Sequence, residues 1–119
     1  VTALPGQGVA ARVLMFVLGS CGVFAGLFIG VLHLIVDAPN VVLVFLPLGY
    51  GAFSITLAAL MRRRRKGVFR SVVGFVVAAA LFSLFFIVMG DSSWWVPLIL
   101  HTVMTGLMFT PRVRAYYGL

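Results

Sequence analysis

The stretch Val13–Val36, "VLMFVLGSCGVFAGLFIGVLHLIV", decides the fold. It runs for about 24 residues without a charge, and a hydrocarbon core about 30 Å thick needs about 20 apolar residues in one helix. In lipid, each backbone N–H and C=O must be paired within its own segment or in a closed barrel. A continuous run without the alternation of a barrel strand therefore reads as a helix. It is longer than the apolar region of a signal peptide, so a retained span is expected.

Three more runs of the same kind follow. The spans are predicted at roughly 13–36, 41–61, 71–89 and 94–110, and none carries a charged side chain. The breaks between them have recognisable chemistry. "DAPN" (37–40) has Pro and Asn for a tight turn. "GDSSWWVP" (90–97) offers Gly90 as a helix stop, Ser93 as an N-cap and Pro97 in a first turn, where a missing N–H costs little. In "TPRVR", Thr110 precedes Pro111 and avoids the helical region, which closes the last span. No loop exceeds about ten residues, so the chain is expected to be a single transmembrane domain over 1–119.

Composition agrees. Of 119 residues, 63% are hydrophobic and 9% charged, against about 25% charged in soluble domains. Such a chain cannot cover its surface with polar groups, and lipid is its expected solvent. The formal charge is +7, from nine Lys and Arg against two acids, Asp37 and Asp91. Charge of this sign can signal nucleic acid, but its positions argue against that. Arg12 precedes the first run, Arg112 and Arg114 follow the last, and Arg62, Arg63, Arg64, Arg65, Lys66 and Arg70 crowd the central loop. All fall on one side of a four-span chain. The positive-inside bias then predicts a four-helix transmembrane bundle with both termini cytoplasmic. The basic loop is expected at anionic headgroups of the inner leaflet or on an acidic partner. Trp94 and Trp95 are read as anchors of the outer interface, Tyr116 and Tyr117 of the inner one. Cys21 is the single cysteine, which excludes an internal disulfide or thiol pair.

Membrane helices lack a hydrophobic drive toward each other, so small residues mark contact faces. Gly22, Gly26 and Gly30 span an arc of about 80° on the first helix, with Gly19 inside it. This glycine stripe predicts helix packing. Pro47, Gly51, Ser54 and Ala58 share a face of span two. Ser71, Gly74 and Ala78 share one on span three, and His101 and Thr105 one on span four.

Ionisable residues in a membrane are functional suspects because they are costly there. His33 and Asp37 fall on the glycine face, and His101 is placed at a depth similar to His33. Three readings compete for the histidines. Each makes an interhelical hydrogen bond, to Thr102, Thr105, Ser54 or a carbonyl. Or the pair ligates a haem or a metal from facing helices. Or His33 with Asp37 relays protons or senses pH. A metal site would want more ligands than two, so none is expected. No HExxH, paired cysteines or phosphate-cradling loop occurs, and with no Glu and no Asn or Gln inside a span no enzyme is expected.

"MRRRRKGVFR" (61–70) and "FTPRVRAYYGL" (109–119) carry a resemblance. The chain resembles a loose group of small uncharacterised four-span membrane proteins of high-GC Gram-positive bacteria, which often end in P-x-V-R-A-Y/F after span four. The group often has an aromatic in the central loop, and Phe69 stands near that position. The resemblance implies a bacterial plasma membrane and no particular activity. The leading expectation is a non-catalytic accessory subunit of a larger membrane complex. A small homo-oligomeric channel or transporter is the alternative, with a polar path along Ser54, Thr56, Thr102, Thr105 and the histidines. A bis-histidine haem subunit is the second.

Overall fold

The computed structural model describes residues 3–36 and 41–119. All regular structure among them is helical: α1 (Gly6–Val36), α2 (Val41–Leu60), α3 (Lys66–Val88), a 3-10 turn at Ser92–Trp94, α4 (Trp95–Met108) and α5 (Pro111–Tyr116). Among these, α1, α2 and α3 are long and apolar enough to cross a membrane. The turn expected at 37–40, and Asp37 with it, lies outside the described residues.

The helices do not stop where the apolar runs stop. α1 begins at Gly6 rather than Val13 and takes in Arg12; α3 begins at Lys66 rather than Ser71 and takes in Lys66 and Arg70. Long basic side chains at a helix end carry their charge to water while the backbone stays paired. The fourth run is shorter than predicted. α4 has 14 residues, about 21 Å of helix, less than the thickness of a hydrocarbon core. Pro111 does not only end it. Thr110 is extended and Pro111 opens α5 at its first position, where a proline fits best.

Two glycines make the sharp stops. Gly90 has φ +103 and Gly118 has φ +79, a conformation that costs glycine nothing. After α3, Gly90 N–H donates to Ile87 and Asp91 N–H to Phe86; after α5, Gly118 N–H donates to Ala115 and Leu119 N–H to Arg114. Both are Schellman closures that pair otherwise orphaned carbonyls.

α1 and α2 form one antiparallel hairpin, α3 and α4 a second, with α4 lying against α1. The core that the two hairpins share lies in the half of the molecule toward the basic loop. There Ala11 and Met15 of α1, Ala58 and Met61 of α2, Val72 and Val76 of α3, Met104 and Met108 of α4, and Val113 of α5 are fully or almost fully buried. Toward the other end Phe24, Leu34, Phe45, Phe85 and Trp95 are exposed, Leu34 to 83%. The molecule measures 53 × 28 × 20 Å. An apolar surface of this extent suits lipid rather than water.

Five hydroxyls inside the helices are satisfied within their own helix. Thr56 donates to Ala52, Ser71 to Gly67, Ser83 to Ala79, Thr102 to Leu98 and Thr105 to His101, at 2.7–2.9 Å. Bonding to the carbonyl one turn back lets a polar residue sit in a lipid-facing helix without an orphan group.

Candidate functional site

The first feature is the seam between α1 and α2. A Cβ placed on Gly19 would lie 3.0 Å from the Gly51 carbonyl oxygen, and one on Gly22 2.9 Å from that of Pro47. On Gly26 it would lie 2.5 Å from Leu48 Cγ, and on Gly51 it would meet the Gly19 carbonyl oxygen and, at 2.7 Å, the Val23 nitrogen. The backbones are in contact, so no side chain fits. Ser54, fully buried, donates across the seam to Met15 O at 2.8 Å. Gly30 stands apart: its nearest neighbour would be Val44 Cγ1 at 3.5 Å, an ordinary contact.

Gly74 and Ala78 do not join any such seam. Both are exposed, and a Cβ on Gly74 would touch nothing. Helix α3 instead turns Val68, Phe69, Val72 and Val76 inward. The bulky face wins because ring contacts hold this hairpin: Phe69 with Phe109 at 5.9 Å, Phe82 with Trp94 at 5.6 Å, and Phe86 stacked on Trp94 at 4.7 Å.

The second feature is a polar node where α1, α2, α3 and α4 meet. The Tyr50 ring occupies the space left by Gly22 and stacks on Phe75 at 5.3 Å. Its hydroxyl is 2.7 Å from His101 Nε2, and His101 Nδ1 is 2.6 Å from the Pro97 carbonyl. A carbonyl can only accept, so Nδ1 carries the proton, and Nε2 of the neutral ring accepts from Tyr50. The sequence reading overlooked Tyr50. The available signal was a phenol in mid-span, whose O–H must find a partner when buried.

His33 is elsewhere. Its Nδ1–H donates to Ile29 of its own helix at 2.8 Å. It lies roughly 16 Å beyond Gly22 along α1, whereas His101 is held at the level of Gly22 by Tyr50. The two histidines are therefore not at one depth. Both ring nitrogens of His101 are engaged, and the geometry does not fit a haem held between the pair. Thr105, also named from the sequence, bonds the His101 carbonyl and lines a groove.

That groove is the third feature. It opens on the outer face of α3 and α4, has a volume of about 380 Å³, and is lined by Val77, Ala80, Leu81, Thr102, Thr105 and Gly106. A Cβ on Gly106 would touch nothing.

The basic end is the fourth. Arg12 Nε donates to Ala58 O at 2.7 Å, Tyr117 O–H to Met61 O and Tyr116 O–H to Arg62 O, both at 2.6 Å. Three carbonyls at the C-terminal end of α2 are thus capped by distant side chains. In return Arg64 Nε donates to Tyr116 O at 3.2 Å, with its guanidinium 5.2 Å from the ring. Tyr116 and Tyr117 are buried latches rather than exposed interface anchors. Burial pushes the Tyr117 phenol up to about 12. Arg62, Arg63, Arg65, Lys66 and Arg70 are exposed.

At the opposite end Asp91 organises the turn into α4. It accepts from the Ser93 hydroxyl at 2.5 Å, the Ser93 N–H at 3.1 Å and the Trp94 indole at 3.0 Å. These bonds, the Ser93 hydroxyl first, hold its carboxyl below the ordinary value. Ser93, expected as the cap, is the donor.

Compared with known protein families, curated proteins and solved structures, the chain matches none of them. The functional reading rests on the geometry.

Proposed function

We propose that the chain is a non-catalytic subunit of a larger membrane protein complex, folded as a four-helix transmembrane bundle in a bacterial plasma membrane with both termini cytoplasmic. The observation that carries this reading is the groove on α3 and α4. Small residues mark contact faces between membrane helices, and here Ala80 and Gly106 line an open, almost wholly apolar depression, with Gly74 and Ala78 exposed on the same helix pair. A partner helix is its occupant, packed through close backbone approach as α1 packs on α2. The distribution of bases, all at one end, supports the orientation.

The channel or transporter reading has less support. Its proposed polar path consists of hydroxyls that bond to the main chain, and its histidines are separated.

The test is gentle purification of the tagged chain, with mass spectrometry of what accompanies it. A stoichiometric larger assembly is expected, lost in Gly106→Leu while the thermal unfolding of the chain itself is unchanged. A stable homodimer that conducts solute in liposomes overturns the reading, as does a Gly106→Leu chain that keeps all its partners.

A further inference from the structure

We infer that the basic end is a binding surface for anionic phospholipid headgroups, and that these headgroups are a structural component of the fold: they allow the two hairpins to close on each other. This inference does not depend on the accessory-subunit reading.

The observation is an imbalance of charge at the basic end of the core that the hairpins share. Arg12 and Arg64 are consumed by helix carbonyls. Arg62, Arg63, Arg65, Lys66 and Arg70 are exposed around the turn from α2 into α3, and none has an anionic partner among the described residues. Arg112 and Arg114 add two exposed charges on α5, whose Val113 and Tyr116 are buried against the same core. Asp91, the carboxylate side chain within the described residues, sits past the far end of α3, roughly 35 Å away, well beyond the range of screened attraction.

Closure of the hairpins docks α5 on this turn through Tyr116 O–H to Arg62 O and Arg64 Nε to Tyr116 O, which brings Arg112 and Arg114 up to the contiguous bases of 62–70, and like charges oppose compaction. Val113 and Tyr116 of α5 belong to the same buried cluster as Met15, Met61, Met104 and Met108, so moving the α5 charges away from the turn means opening the core. A counter-anion must come from outside the chain. A phospholipid headgroup matches both the chemistry and the place. It is a phosphate, which guanidinium groups bind in a bidentate fashion. It also stands at the depth where helix ends emerge from an apolar span, and polybasic segments are drawn to such surfaces. An acidic protein would need to reach into the headgroup layer to do the same.

The experiment uses the full chain in nanodiscs of zwitterionic phosphatidylcholine, alone or with anionic phosphatidylglycerol, and reads the thermal unfolding midpoint. The expected result is a rise of about 5 °C or more with anionic lipid, reduced on adding salt. The variant Arg63→Gln/Arg65→Gln/Lys66→Gln/Arg70→Gln should lose at least half of that rise. Arg63→Lys/Arg65→Lys/Arg70→Lys, which keeps the charge, should retain most of it and serves if the first variant does not fold. Two further arms in zwitterionic discs add inorganic phosphate or polyglutamate. Neither should reproduce the rise. Equal midpoints in both lipids overturn the inference. So does full stabilisation by inorganic phosphate, which would make the ligand a free anion, or by polyglutamate alone, which would make it an acidic protein.

Discussion

The hairpins α1–α2 and α3–α4 hold comparable stripes of small residues and are closed by different means. Between α1 and α2 the glycines are consumed, because Gly19, Gly22 and Gly51 bring two backbones together. Between α3 and α4 the rings do the work, and Gly74, Ala78 and Gly106 are left facing out. A glycine stripe therefore shows that a helix can be approached closely, not that its neighbour in the chain does so. A residue that closes a hairpin on one side of the molecule can prepare a contact with something else on the other.

Substitutions test this contrast directly. Gly51→Leu should have the largest effect, a loss of about 3 kcal/mol in equilibrium unfolding in mixed micelles, because its side chain would meet the α1 backbone at both Gly19 and Val23. Gly22→Ala should cost about 2 kcal/mol and displace Tyr50, so the imidazole NMR signal of His101 should lose its hydrogen-bonded shift. Trp94→Ala should cost about 1.5 kcal/mol through the lost ring contacts, confined to the α3–α4 hairpin in hydrogen exchange.

Tyr117→Phe should cost about 1 kcal/mol by leaving the Met61 carbonyl unpaired. The same contribution has a pH signature. The neutral phenol is the bound form, and its folded value of about 12 exceeds its ordinary 10. The contribution is therefore whole below pH 10 and is lost as pH rises through about 12, a loss that Tyr117→Phe should not show. At the small end, Gly30→Ala should be nearly neutral, and Gly74→Ala should gain up to about 1 kcal/mol from helix propensity. If Gly74→Ala destabilises as much as Gly22→Ala, the contrast between the hairpins is wrong.

The all-helical character and the three long membrane-competent helices were legible in the sequence, since run length and the absence of charge follow from the thickness of lipid. So was the stop at Gly90, where a flexible residue meets a polar turn. The helix starts were not, because Arg12, Lys66 and Arg70 read as ends although their stems let the backbone continue. A helical wheel states which residues share a face but not which faces meet. It put His33 on one face with Gly22 and could not tell that His101 lies about 11 residues' rise nearer the basic end. Tyr116 and Tyr117 were illegible for a related reason: their partners are carbonyls, which every residue has and no side-chain pattern announces.

Those two tyrosines have a consequence for biosynthesis. A ribosome makes α2 more than fifty residues before Tyr116 and Tyr117. Until they emerge, the carbonyls of Met61 and Arg62 lack the hydroxyls that pair them, and α1 and α2 can zip together while their basic end stays unsealed. The order of synthesis is thus built into the contacts: the residues of the glycine hairpin are all made before the latch exists, and the latch can be thrown only once the sequence following α4 has left the exit tunnel.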